Sequence, residues 1–243
     1  MNKKARVLNC PVDIIDSENA LNIVKDAIKE NKNFQIITLN PEMIMNAQKN
    51  KDFFEIINNS DLNIIDGIGV KIALNLKGIH CTNIRGVDFS RKLIELANND
   101  NLPIGFLGAK EEVINATCDN FKKQYPSLNI VYKRNGYFKN DNEIIDEITN
   151  SNPKILLVGL GSPKQEEFII KLKNQLKGCI MIGVGGSFDV FSGFVKESPK
   201  VYRTLGLEWL YRTICQPERI KRIFPTLPIF LLKCIIDNVG KKG

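Results

Sequence analysis

The stretch ILLVGLGSPKQE, residues 155–166, decides the fold. Ile155–Gly159 is a short, unbroken apolar run of the kind that forms a strand buried on both faces. Glycines at 159 and 161 follow, and Pro163 suits the first turn of a helix over Lys164–Gln175. Strand, glycine turn and helix make one α/β unit. The same unit recurs on either side. Phe34–Thr38, Asn63–Ile65, Ile104–Leu107, Asn129–Tyr132 and Ile180–Val184 read as further strands. Helical stretches alternate with them. Ser17 is placed to cap a helix with the apolar face Ala20, Leu21, Val24 and Ile28, and Asp88 to cap Phe89–Asn98. Lys110–Gln124 and Asn142–Thr149 follow. The alternation predicts a Rossmann-like, mostly parallel sheet with helices on both faces.

Ligands of such sheets bind beyond the C-terminal strand ends. The polar and glycine-rich segments fall there: TLNPEM (38–43), DGIGV (66–70), GLGSPKQE (159–166) and GVGGSFD (183–189). Glycines at 159, 161, 183, 185 and 186 let backbone N–H groups approach a phosphate, and each run serves equally as a tight turn. Neither completes a dinucleotide fingerprint, because Lys164 and Phe188 stand where the third glycine belongs. Asp66 ends a strand beside Gly67, so its carboxylate faces the ligand crevice as a general base or caps the next helix. Arg85 lies on a loop before a helix, placed to bind phosphate or to pair with a surface acid. Glu166 opens a helix and favours its dipole.

The chain carries a net charge of +7, unevenly spread. Residues 196–243 hold ten Lys or Arg and four Asp or Glu, a net of +6, which leaves +1 for the rest. These bases alternate with Trp209, Phe224, Phe230 and many aliphatics. That pattern suits an interfacial helix on an anionic membrane, and equally a helix packed on the main domain. The expected division is an α/β catalytic domain over 1–195 and a basic, amphipathic, helical appendage over 196–243. No stretch reaches the roughly 18 apolar residues that span a bilayer, and the N-terminus lacks a secretory h-region. Six scattered cysteines without a CxxC pair, and one histidine, His80, argue against a zinc site and for reduced thiols. No Asp-x-Asp pair is present to hold a divalent ion on a diphosphate, so backbone amides and Lys or Arg must neutralise one.

In order, IITLNPEM, IIDGIGV, IRGVDF, VGLGSPKQE, GVGGSFDVFSG, LGLEWLYR and QPERIKR resemble the WecG/TagA/CpsF family of glycosyltransferases. The match runs from residue 36 to about 222 of the sequence. It departs at Lys196-Glu197-Ser198-Pro199, where the family tends to have a basic and a small residue before proline. The resemblance implies an inverting transferase that needs no metal and no cofactor beyond its UDP-sugar. Better-known members move N-acetylmannosamine from UDP to undecaprenyl-diphosphate-linked N-acetylglucosamine in wall teichoic acid or surface polysaccharide synthesis. By motif position Asp66 matches the base, and Thr38, Asn40, Arg85 and Gln165 match pocket residues, beside the turn glycines Gly161 and Gly185. Arg212, Arg219 and Arg222 match arginines of an appendage that closes over the site at the inner face of the membrane. Two other classes stay open on residues alone. A nucleotide-dependent oxidoreductase is disfavoured by the broken glycine fingerprints. A basic nucleic-acid-binding module is disfavoured because the tail is aliphatic and lacks a series of stacking aromatics. The sequence leaves open whether the chain forms a homo-oligomer.

Overall fold

The computed structural model describes residues 3–204, 207–215 and 220–240. It opens with a hairpin of β1 (Lys4–Val7) and β2 (Cys10–Asp13), followed by α1 (Ser17–Lys29), β3 (Phe34–Leu39), α2 (Pro41–Ala47) and α3 (Lys51–Asn58). Next come β4 (Leu62–Ile65), α4 (Ile68–Leu76), α5 (Gly86–Asn99), β5 (Ile104–Gly108), α6 (Glu111–Gln124), β6 (Ile130–Arg134) and α7 (Asp141–Ser151). The body ends with β7 (Ile155–Gly159), α8 (Lys164–Lys173), β8 (Ile180–Gly183) and α9 (Ser187–Phe191). Helices α10 (Lys200–Thr204), α11 (Glu208–Cys215) and α12 (Ile220–Gly240) form the C-terminal segment.

Strands β3 to β8 make a six-stranded sheet in the order β4-β3-β8-β7-β5-β6, parallel at every pairing. The alternating α/β expectation is met. The first and last strands of this sheet, β3 and β8, lie side by side near its centre. Their C-terminal ends therefore bring Thr38 close to Gly183.

Alternate strand residues fill opposite layers, as the period of two requires. Ile155 and Leu157 join α1, α5 and α6 in one apolar cluster. Leu156 and Val158 point the other way, into a cluster with α7 and α8. Ile37, Leu39 and Ile65 meet α2, α3, α4 and the hairpin in a third. That third cluster also takes Phe230 and Cys234 from α12, which are 0% and 1% exposed. Gly69 of α4 lets α12 come close. A Cβ there would sit 2.6 Å from Pro41 and 2.9 Å from Leu227. Farther along, Lys77 pairs with Asp237 at 2.8 Å, and Asn238 donates to the Leu76 carbonyl at 2.7 Å.

The opposite face of α12 is also apolar. Ile229, Leu232, Ile235, Ile236 and Val239 are exposed. Among the described residues no helix is long and apolar enough to cross a membrane.

Local expectations shift by a few residues. Asp16, not Ser17, caps α1, accepting from Asn19 N at 2.8 Å. Arg85, not Asp88, occupies the cap position of α5, and Asp88 falls in its first turn. Pro163 precedes α8 instead of opening it.

Candidate active site

A cleft of about 1150 Å³ opens over the C-terminal strand ends. Its lining includes Thr38, Asn40, Asp66, Arg85, Gly161, Gln165 and Gly185, which sequence reasoning had singled out one by one. Arg219 lies outside the described residues, as do the side chains of Arg212 and Arg222.

Asp66 follows β4 directly, and its N–H donates to the Leu39 carbonyl at 2.9 Å, extending the β3–β4 pairing by one step. The next residue, Gly67, has φ +94° and donates its N–H to Asn83 Oδ1 at 2.7 Å. This contact ties the turn after Asp66 to the loop that carries Arg85. Gly86 opens α5 against the same spot. A Cβ on Gly86 would lie 3.1 Å from Asp66 Oδ2 and 3.1 Å from the Thr38 methyl. The sequence Ile-Arg-Gly-Val thus reads as a close approach: glycine lets α5 begin against the carboxylate. Asn40 caps α2, accepting from Met43 N at 3.0 Å.

On the other side of the cleft, Gln165 is 4% exposed and Glu166 is 1% exposed. Gln165 Oε1 accepts the Gly185 N–H at 3.0 Å, and Gln165 Nε2 donates to Glu166 Oε1 at 2.7 Å. Thr38 Oγ1 donates to the Gly183 carbonyl at 3.4 Å. Gly161 and Gly185 have φ +78° and +49°, a backbone region that disfavours side chains. Phe188, in place of a third fingerprint glycine, is buried in the core and packs against Gly159.

The rim is held by charge. Arg85 Nε and Nη2 donate to the two carboxylate oxygens of Glu208 at 2.6 and 2.7 Å. The same guanidinium reaches Glu197 at 3.0 Å and Asp88 at 2.7 Å. Glu197 also pairs with Arg91 at 3.0 Å and Arg203 at 3.1 Å, and Ser198 donates to Glu208 at 2.9 Å. Burial works against the Arg85 charge, but Glu208, Asp88 and Glu197 outweigh it and raise its pKa. Burial likewise opposes the Glu197 charge, yet Arg91 and Arg85 leave that carboxyl below its ordinary value. Glu197 and Ser198 lie in the Lys196-Glu197-Ser198-Pro199 stretch noted in the sequence. Here they join the segment after α9 to the body.

Sequence reasoning missed Asn83, Tyr137, Phe194 and Glu208 of the lining. Tyr137 and Phe194 are exposed aromatics at the mouth, and no motif marks either. Among the described residues no group of three His, Cys, Asp or Glu is placed to hold a metal ion.

Chemically, the arrangement offers one carboxylate at a strand end, a carboxamide locked across from it, and turns at Gly161 and Gly185 that keep side chains out of the cleft. It suits binding an anionic ligand and withdrawing one proton. Residues 5–243 match the family model described as glycosyl transferase WecG/TagA/CpsF family. An N-acetylglucosaminyldiphosphoundecaprenol N-acetyl-beta-D-mannosaminyltransferase of Bacillus subtilis is 35% identical over 208 residues, covering 85% of this chain and 81% of its own. The enzyme of that name from Staphylococcus aureus is 31% identical over 243 residues, covering 96% and 95%.

Proposed function

This chain belongs to the WecG/TagA/CpsF family of glycosyltransferases, and from that premise and the geometry of the cleft we propose how it acts. It moves N-acetylmannosamine, or a related sugar, from its UDP donor to N-acetylglucosamine carried on undecaprenyl diphosphate. The product feeds teichoic acid or a related surface polysaccharide. The observation that carries the reading is Asp66, at the end of β4 on the cleft wall, with Gly86 packed close to both it and Thr38.

In the reaction the acceptor hydroxyl oxygen attacks the anomeric carbon and its proton passes to Asp66. The bond from that carbon to the diphosphate oxygen breaks, its electron pair leaves with UDP, and the configuration inverts. One carboxylate suffices, unlike glycoside hydrolysis with its pair. Charge gathers on the departing diphosphate, where N–H groups and arginines aimed at it stabilise the transition state. Arg212, Arg219 and Arg222 are proposed for that task. No metal or cofactor takes part, so transfer persists in EDTA. Loss on chelation with recovery on Mg²⁺ or Mn²⁺ would refute this.

The acceptor is a membrane lipid, and the exposed apolar face of α12 supplies an attachment. Apolar burial and the +6 charge of residues 196–243 act together on an anionic inner leaflet. The enzyme works there as a peripheral protein.

The test of the proposal is Asp66→Ala beside Asp66→Asn. Both lose about 10²–10⁴-fold in turnover, the usual contribution of a general base, while melting and UDP affinity hold. Near-normal turnover in a folded Asp66→Ala protein removes Asp66 from the role.

A further inference from the structure

We propose that Glu166 is a positioning residue: its buried carboxyl fixes the Gln165 carboxamide so that Gln165 presents its remaining N–H to the nucleotide-sugar. This rests on the reading of the cleft as a UDP-sugar site. The Gly185 N–H can only donate, so the Gln165 atom it meets is the oxygen. Nε2 is thereby on the far side, 2.7 Å from Glu166 Oε1. One of its two N–H groups is used there. One oxygen lone pair is engaged by Gly185 and one N–H by Glu166, which leaves the second N–H, beside the oxygen's second lone pair, for a ligand. An oxygen of the sugar or the diphosphate accepts it.

Two further observations fix the geometry. Gly183 has no side chain, and the vacated space holds both groups. A Cβ there would lie 2.5 Å from Gln165 Nε2 and 2.8 Å from Glu166 Oε1. Any larger residue at 183 would break the pair apart. In addition, Glu166 Oε2 is buried and has no hydrogen-bond partner among the described residues. A buried polar atom without a partner costs stability, and an apolar residue of similar size in its place is often neutral or stabilising. Glu166 does not itself line the cleft. A group that is costly to bury, and that borders the cleft only through Gln165, acts through Gln165. Burial pushes the carboxyl up to about 7, against the Gln165 hydrogen bond that pulls it down. The proton this favours has Oε2 to sit on, which leaves Oε1 to accept from Gln165 in either protonation state.

The experiment is a double-mutant cycle on the full-length chain, read by sugar transfer, by UDP-sugar Kd and by melting. Glu166→Leu raises the Kd and lowers kcat/KM by about tenfold, the worth of one oriented hydrogen bond, with melting unchanged or raised. Glu166→Gln, which keeps an acceptor oxygen, stays within about threefold of the parent. Because Glu166 works through Gln165, Glu166→Leu added to Gln165→Ala costs nothing more than Gln165→Ala alone. The proposal is overturned if the two losses multiply, if Glu166→Leu matches the parent, or if it unfolds or melts markedly lower, since its role is then structural. A parent that binds UDP-sugar but transfers nothing counts against the proposed function alone, and the Kd arm still decides on Glu166.

Discussion

The C-terminal segment is attached to the body in two places by two kinds of force. Near residues 197–208 the attachment is ionic: Arg85, Arg91 and Arg203 meet Asp88, Glu197 and Glu208 at the rim of the cleft. Along α12 it is apolar: Phe230 and Cys234 enter the same core cluster as Ile37, Leu39 and Leu74. Salt and pH act on the first attachment and scarcely on the second. The arginines expected to act on the diphosphate, 212, 219 and 222, lie in the chain between the two.

The comparison can be broken at either place. The largest effect on stability is expected at the apolar end. Phe230→Ala leaves a cavity in a filled cluster and costs about 3–5 kcal/mol, read as a lower denaturant midpoint with an unchanged slope. A change under about 1 kcal/mol would show that α12 is not part of the core. At the ionic end, Arg85→Ala strands Glu208 at a half-buried rim. The cost is about 2 kcal/mol, below that of a fully buried pair because solvent screens part of it. Turnover falls as well, since Arg85 and Glu208 both line the cleft. The exchange Arg85→Glu with Glu208→Arg recovers part of both losses. If the exchange recovers nothing, the clasp is not what Arg85 does.

Acid separates two carboxyls of opposite sign. Glu197 is held below its ordinary pKa, so the stability it lends is present at neutral pH and is lost as pH falls through its folded value. Glu166 is raised, so the native state holds its proton more tightly than the unfolded chain does. Stability therefore falls as pH climbs from about 4.5 towards 7. Glu166→Gln removes that fall, worth about 3 kcal/mol at most by the shift, and Glu197→Gln removes the loss in acid. Melting curves from pH 4 to 8 read both, and a Glu166→Gln curve parallel to the parent's contradicts the assignment. The smallest effect is expected at Lys77. Its part-buried pair with Asp237 is a single contact, so Lys77→Met costs about 1–2 kcal/mol.

Much of the body was legible because its strands are buried on both faces and read as unbroken apolar runs. Ile155–Gly159 has the expected bounds, and the other strands shift by one or two residues. The β1–β2 hairpin escaped notice because its strands are four residues each and its turn, Leu8-Asn9, puts a leucine at φ +46°. Helix α2 begins inside the polar segment TLNPEM, where Asn40-Pro41 is a cap followed by a first-turn proline. Asp66 and the glycine turns showed in the sequence, because strand end and turn are local. The clasp did not, since Arg85 and Glu208 are 123 residues apart. Nor did the buried state of Glu166. An acid in the first turn of a helix looks exposed, and only its packing against Gly183 reveals otherwise.

One measurement tests the central claim most directly. The full-length chain is incubated in EDTA with a panel of UDP-sugars and a prenyl-diphosphate-linked N-acetylglucosamine, and the products are weighed by mass spectrometry. The account predicts one added N-acetylhexosamine, with UDP-N-acetylmannosamine or a close relative as the preferred donor and UDP released in equal amount. UDP-sugar consumed with free sugar as the only product, or no gain in acceptor mass with any donor, would contradict it.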